Sequence, residues 1–366
     1  MESPSRPCPG RSSAQHSARR PLSRGQWARL PPRSGQQYHR GCAGAARAGE
    51  WKTLVATPLA FLRGEFVPLA EARINVMTHA FNYGTAVFEG VRGNWNDDER
   101  QLFLFRVREH VERLRQSAKI MRMQLHYSDD EVVSFIEQLA EQSGYEEDVY
   151  IRPIVYKSSE AIGVRLHDLE DDFLLYIAPF GAYLDPDAGA RCVTSSWRRV
   201  DDTSIPARAK VNGLYVNNAM AKTEAQLSGF DEAILLNPDG HVSEGSGENI
   251  VIIRNGKLIT PGPQDNILEG ITLDTVLQMA QEDLGLEVQV RTIDRTELYI
   301  ATEVFMTGTA AHVTPVTEVD RLPIGDGRPG PITKQLQSRY FNAITGRMPQ
   351  YADWLTPVYA KAPVGA

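Results

Sequence analysis

The chain has 366 residues, 42 % of them hydrophobic, and a formal net charge of −7. The charge is uneven: residues 1–50 carry nine arginines against Glu2 and Glu50, or +7, which leaves −14 on the remaining 316. An acidic body excludes nucleic acid and anionic membranes as main partners, and no apolar run of about 18 residues is present to cross a bilayer.

Residues 1–56 are rich in Pro, Arg, Ser and Gly, lack apolar periodicity and are expected to be disordered. This Arg- and Ser-rich, acid-poor stretch resembles an organellar transit peptide, but its prolines oppose the amphipathic helix such peptides need. The favoured reading is an extension translated from upstream of the natural start, with the working protein beginning near Val55. The cysteines are Cys8, Cys42 and Cys192. One cysteine in the body cannot build a disulfide framework, which fits a reducing, cytoplasmic setting. The alternative is an organelle, should the extension be a true transit peptide. No C-x-x-C or H-E-x-x-H spacing occurs and the histidines are scattered, so no metal site is expected.

From residue 57 the pattern is regular. "LAFLRGEFVPL" (59–69) reads as a hairpin turning at Arg63-Gly64, and "QLFLF" (101–105) as a short strand. Val111, Leu114, Ala118 and Met121 recur at helical spacing between Val107 and Met123. Ser128 is placed as an N-cap before Asp129, Asp130 and Glu131, with Gly144 ending that helix. "VYIRPIVY" (149–156) and "FLLYIAPF" (173–180) read as buried strands. Residues 181–190, "GAYLDPDAGA", have the composition of a linker.

Beyond it, "CVTSSW" (192–197) reads as a strand and Leu214–Ser228 as a helix stopped by Gly229. "EAILLN" (232–237) is a strand, and "NIVIIRNGKLIT" (249–260) a hairpin on Asn255-Gly256. A helix over Ile271–Leu284, strands at 287–293 and 303–308, and a helix over 332–345 complete the pattern. The expectation is an α/β chain of α+β type with two domains, 57–180 and 191–366, joined by 181–190.

Four stretches could carry chemistry. Lys210 follows Pro206 in a loop of small residues. It is either a solvated charge, as most lysines are, or an amine able to lose a proton and attack a carbonyl, which arginine cannot do. "HVSEGSGENI" (241–250) could be a flexible loop, a dinucleotide fingerprint or a tight loop presenting carboxylates. The fingerprint fails, because Ile250 stands where the third glycine belongs and a strand follows. Glu244 and Glu248 flank Gly245 and Gly247, which would let the backbone approach a flat ligand. "LEGIT" (268–272) opens a helix whose free N–H groups, with the Thr272 hydroxyl, make an anion site. "TGTAAHVTP" (307–315) adds small and hydroxylated residues after a strand.

In this order, Lys210, "SEGSGEN", "LEGIT" and "TGTAA" resemble the branched-chain amino acid aminotransferases, of the class IV (fold type IV) pyridoxal-phosphate enzymes. "THAFNYGTAVFEGVR" (78–92), "REHVERLRQSAKI" (108–120) and "YIRP" (150–153) are similar to that family too. The resemblance runs from about residue 59 to about residue 345. It implies a small N-terminal domain and a larger C-terminal one with pyridoxal 5′-phosphate between them.

The resemblance makes Lys210 the cofactor lysine and the general acid–base, for which an amine of lowered pKa is expected. It makes Glu244 the carboxylate facing the ring nitrogen, with Glu248 a helper. It gives the phosphate to Arg113, Ile271, Thr272 and Thr309, the ring face to Leu268 and the ring oxygen to Tyr215. The substrate carboxylate falls to Tyr150, Thr309 and Ala310, and the distal carboxylate of glutamate to Arg152. The aliphatic side chain falls among Tyr83, Phe88 and Tyr183, aromatics that could equally be plain core.

The implied reaction moves the amino group of L-leucine, L-isoleucine or L-valine to 2-oxoglutarate. The alternative is a D-amino acid or (R)-amine aminotransferase on the same fold. A non-catalytic binding protein on this scaffold is opposed by the retention of Lys210 and Glu244. Part of the family's pocket comes from a partner subunit, so a homo-oligomer is implied. Phe180 stands where some relatives carry Trp, and Leu273 where a basic residue is common; neither removes a reacting group.

Overall fold

Alternation along the strands decides where the site lies. In a computed structural model, which describes residues 58–181, 184 and 187–360, the first half builds β1 (Leu59–Leu62), β2 (Glu65–Pro68), α1 (His79–Tyr83), β3 (Ala86–Phe88) and β4 (Val91–Asn96). It continues with β5 (Gln101–Phe105), α2 (Val107–Ile120), α3 (Asp129–Ser143), β6 (Val149–Lys157) and β7 (Asp171–Pro179). The strands form an antiparallel sheet in the order β5-β4-β6-β7-β1-β2, with β3 also paired to β6. Successive side chains of a strand face opposite ways. Val149, Ile151 and Val155 of β6, with Phe173, Leu175 and Ile177 of β7, therefore enter the core under α2 and α3. Tyr150, Arg152, Tyr176 and Ala178 are left on the other face.

The helices form as their sequences require. Ser128 and Glu131 make a reciprocal capping box at the start of α3, which satisfies two otherwise unpaired N–H groups. On α2, Val107, Val111, Leu114 and Ala118 are buried at helical spacing.

The second half builds β8 (Ala190–Arg198), α4 (Tyr215–Leu227), β9 (Glu232–Leu236), β10 (Val242–Gly245), β11 (Asn249–Arg254), β12 (Lys257–Thr260) and α5 (Ile271–Glu282). Then come β13 (Val288–Val290), α6 (Arg295–Tyr299), β14 (Glu303–Gly308), β15 (His312–Val319), β16 (Leu322–Pro323), α7 (Pro331–Ile344) and β17 (Leu355–Pro357). Its mixed sheet runs β10-β9-β8-β15-β14-β11-β12-β13, with β16 on β15. Helices α5 and α7 cover one face around Val251, Phe305 and Leu336. Residues of α6 pack with Ile250, Ile252 and Met306 on the other.

The structure differs from expectation in several places, of which two bear on the site and the first sheet. Residues 242–245, read as part of a loop, form β10, so Glu244 projects from a strand. The chain also returns at its end: β17 pairs with β5 and extends the first sheet. The expectations for residues 1–56 and for Tyr183 lie outside the described residues. No described helix is long and apolar enough to cross a membrane, and no described cluster of His, Cys, Asp or Glu could hold a metal ion.

Candidate active site

A cavity of about 410 Å³ opens against the exposed face of β6 and β7. From the first half it is lined by Phe88, Glu89, Arg113, Tyr150 and Arg152. From the second half come Lys210, Tyr215, Glu244, the 268–272 segment and the turn after β14.

Lys210 is tied to the first half by its backbone. Its N–H donates to Ser117 Oγ (3.2 Å) and its carbonyl accepts from the Phe88 N–H (3.0 Å). Its Nζ donates to Tyr215 Oη at 2.7 Å and lies 5.0 Å from the centre of the Phe88 ring. Burial pulls the amine down, but Tyr215 and Glu89 more than offset this and leave it above its ordinary value. The expected lowering is therefore absent in the chain alone. The reason is that the Tyr215 hydroxyl and the Glu89 carboxylate favour the charged amine more than burial and Arg113 oppose it.

Glu244 sits at the end of β10 with its carboxylate held on three sides. Arg199 Nη2 lies 2.7 Å from Oε1, and Oε2 accepts from Asn249 Nδ2 (3.0 Å) and the Leu268 N–H (2.9 Å). A carboxylate has about four lone-pair sites, so one remains for a donor in the cavity. Burial pushes this carboxyl above the usual carboxylate range, against Arg199 and the Leu268 amide. Arg199 is buried and anchored in turn, donating to the Asn266 carbonyl at 2.9 Å.

The anion cup forms where α5 begins. Gly270 caps the helix without a side chain, so the first N–H groups, from Ile271 and Thr272, are free for a ligand. A Cβ on Gly270 would come within 2.0 Å of Asn249 Oδ1, so glycine here lets Glu244's partner pack against the helix start. Arg113 reaches the same place and donates to the Glu269 carbonyl at 2.6 Å. Thr309 and Ala310 line the cavity from the tight turn between β14 and β15, and the Thr307 hydroxyl there is buried without a partner.

Tyr150 and Arg152, on β6, close another side of the cavity. Arg152 Nη2 donates to Tyr150 Oη at 3.1 Å, and its guanidinium lies 4.2 Å from the Phe88 ring centre. A Cβ on Gly90 would fall 2.0 Å from Tyr150 Oη, so only glycine admits the hydroxyl at this point. Burial raises the Tyr150 hydroxyl above its ordinary value, which keeps it a neutral donor.

Of the residues named from sequence, Lys210, Glu244, Arg113, Tyr215, Leu268, Ile271, Thr272, Thr309, Phe88, Tyr150, Arg152 and Ala310 line this one cavity. Tyr83 does not: it lies on α1, 37 % exposed, against His79, and accepts the Gly163 N–H. Glu248 also lines the cavity: it is buried, accepts the Gly247 N–H at 3.1 Å, and is pushed up to about 8 by burial. Sequence reading missed Glu89, Arg199, Asn249, Tyr176 and Ala178. For Tyr176 and Ala178 the signal was present, as strand alternation places them beside Tyr150 and Arg152.

An amine, a braced carboxylate and an anion cup, with a buried hydroxyl left over, are the donor set that a flat phosphorylated ring requires. Pyridoxal 5′-phosphate fits these residues.

Known proteins agree. Residues 86–319 match the family model for amino-transferase class IV. The chain is 53 % identical over 302 residues to a "Probable branched-chain-amino-acid aminotransferase" of Aquifex aeolicus (strain VF5), covering 82 % of this chain and 97 % of that one. It resembles the branched-chain aminotransferase of the thermophilic archaeon Thermoproteus uzoniensis, solved with norvaline, with a TM-score of 0.79 and 42 % identity. That match covers 83 % of this chain and all of the other. The PLP form of the Thermobaculum terrenum branched-chain amino acid aminotransferase gives a TM-score of 0.80 at 38 % identity, with coverage of 83 % and 100 %.

Proposed function

The chain belongs to the class IV aminotransferases, and from that premise we propose how its residues divide the work of a branched-chain-amino-acid aminotransferase. The enzyme moves the amino group of L-leucine, L-isoleucine or L-valine to 2-oxoglutarate, with pyridoxal 5′-phosphate as cofactor. When bound, the cofactor supplies an aldehyde that captures the amino nitrogen and a ring that draws electrons from the substrate's α-carbon.

Lys210 anchors the cofactor between turnovers. During turnover its Nζ is the base that takes the proton from the α-carbon, and Tyr215, 2.7 Å away, holds that amine in place. Glu244 keeps the ring nitrogen protonated, with Arg199 holding the carboxylate ionised despite its burial. Arg113, the α5 N-terminus and Thr309 bind the phosphate, and Leu268 packs on the ring. Tyr150 with the Thr309-Ala310 turn orients the α-carboxylate of every substrate, and Arg152 grips the distal carboxylate as well when glutamate is the substrate. Phe88 supplies the apolar wall for the side chain.

Residues 57–180 are the substrate-side domain of this division, and residues 191–366, beyond the 181–190 linker, the cofactor-side domain. A cytoplasmic setting belongs to the same reading, supported by Cys192, which is buried and free. So does a homo-oligomer that brings Tyr83 and Tyr183 to a substrate pocket.

The observation that carries the reading is the single cavity holding Lys210, Glu244 and the α5 start together. A panel of L-amino acids, D-amino acids and amines with 2-oxoglutarate tests it. L-leucine, L-isoleucine and L-valine are expected to lead, and Lys210→Ala to lower turnover by about 10³-fold or more. D-alanine or 1-phenylethylamine outrunning L-leucine would replace this reading with the D-amino acid or (R)-amine one.

A further inference from the structure

Arg113 does not reach the anion cup as a free cation. Glu89 covers one edge of its guanidinium: Nε donates to Oε1 at 2.6 Å and Nη2 to Oε2 at 2.8 Å. One Nη1 hydrogen goes to the Glu269 carbonyl at 2.6 Å. A guanidinium has five N–H donors. With three engaged, the two that remain sit one on each terminal nitrogen, as a two-point grip on phosphate oxygens requires.

Glu89 is itself fixed. It is fully buried, between β3 and β4, and its Oε2 also meets His110 Nδ1 at 2.7 Å and the Gly90 N–H at 3.4 Å. A carboxylate only accepts, so His110 Nδ1 carries the proton. His110 and Arg113 are three residues apart on α2 and share one helix face. Burial pushes the Glu89 carboxyl up, but Arg113 and His110 pull it well below the usual range, so it stays ionised. Burial lowers the His110 imidazole, which keeps it neutral. The charges of Glu89 and Arg113 cancel, so the cup binds an anion by aimed N–H groups rather than by net charge.

We propose that Glu89, backed by His110, is a positioning residue for the cofactor's phosphate: it turns Arg113 so that two N–H donors face the anion cup. The inference rests on the assignment of Arg113 to the phosphate.

The test compares binding of pyridoxal 5′-phosphate and of pyridoxal, which lacks the phosphate, to the full chain stripped of cofactor, by equilibrium dialysis. The readout is the ratio of the two affinities, which a merely structural defect would not move. Glu89→Gln is expected to lower the preference for the phosphorylated form by about tenfold, the worth of a charge-assisted hydrogen bond; any effect of Glu89 on the Lys210 amine cancels in the ratio, because both ligands meet that amine. Glu89→Asp restores part of it, because the charge returns. Arg113→Ala lowers the preference further, and in that background Glu89→Gln adds nothing. A normal ratio in Glu89→Gln with a lowered one in Arg113→Ala overturns the proposal and leaves the Arg113 assignment standing. A normal ratio in Arg113→Ala overturns the assignment and the proposal with it. If Glu89→Gln yields no folded protein, His110→Asn replaces it. About a threefold drop in the ratio is then expected, and an unchanged ratio overturns the proposal.

Discussion

Glu244 and Arg199 form a buried pair, their side chains 8 % and 2 % exposed and their charged atoms 2.7 Å apart. Removing one partner of such a pair strands the other charge and costs about 3–5 kcal/mol. Arg199→Leu is therefore expected to lower unfolding stability by that order in denaturant titration. It also acts on catalysis. Burial already raises the Glu244 carboxyl, and losing Arg199 raises it further. In its proposed role Glu244 must be ionised to keep the ring nitrogen protonated, so activity is expected to fall as pH drops through its pKa. The acid limb of the kcat profile should move to higher pH in Arg199→Leu and vanish in Glu244→Gln, whose kcat falls on the order of 10²-fold. An acid limb unmoved in Arg199→Leu would separate Glu244 from the ring nitrogen. At this scale the sequence singled out Lys210 and Glu244, which line one cavity, because the proposed chemistry admits few residue types: a lysine for the amine and a carboxylate for the ring nitrogen. Arg199 and Glu89 were illegible because each acts through space on a residue far along the chain, and Asn249, only five residues from Glu244, because the turn from β10 to β11 rather than any spacing rule brings the two together.

The longer helices and the hairpins were legible because they are locally determined, while the five-residue α1 and α6 were not named. The capping box on Ser128, the Asn255-Gly256 turn and the apolar spacing on α2 all state their own structure. β10 and β15 were not. β10 contains Gly245 and Glu244, poor strand formers, and β15 contains Pro315, which weakens a strand reading. Their pairing comes from the sheet that receives them.

The turn before β15 has a specific demand. His312 adopts a left-handed backbone, φ 56°, opposite Gly308, a conformation open to Gly and Asn and strained for a β-branched residue. His312→Val should strain the turn by about 1–3 kcal/mol and raise KM for both substrates, because Thr309 and Ala310 shift. His312→Asn should keep KM. The histidine is buried and lowered to about 3. Its contribution to stability is present above its unfolded value of about 6.5 and is lost as pH falls from there toward 3. His312→Asn should flatten this loss in denaturant titrations between pH 7 and pH 4. An unchanged slope would show that the imidazole is not the titrating group. At the other rim of the cavity, Gly270→Ala drives a methyl into Asn249. It should cost about 1–3 kcal/mol of stability and weaken cofactor retention through Glu244's lost partner, measured as cofactor release on dialysis.

The whole molecule places the cavity against two sheets, one built mostly from the first half of the chain and one from the second. The return of β17 could not be read, since three residues carry too little pattern to name their partner. One expected substrate residue is also out of place within a single chain. Tyr83 lies outside the cavity, beside a run of exposed apolar side chains: Val76, Phe81, Ile162 at 80 % and Val164 at 93 % exposure. The two segments are joined by the Thr78–Glu160 bridge and by His79 Nε2 at 2.8 Å from the Gly163 carbonyl, so the side chains form one patch. A patch of this kind on a folded body marks an interface. A second copy of the chain is the occupant that would also give Tyr83 a pocket to line. Phe81→Asp places a charge at its centre, where burial without a partner is unfavourable. Light scattering should then show the assembly dissociating, with KM for L-leucine rising as the protein is diluted. Cofactor retention should change less, because Lys210, Glu244 and Arg113 belong to one chain. A monomeric Phe81→Asp variant with unchanged KM would place the aliphatic pocket wholly within one chain and remove Tyr83 from it.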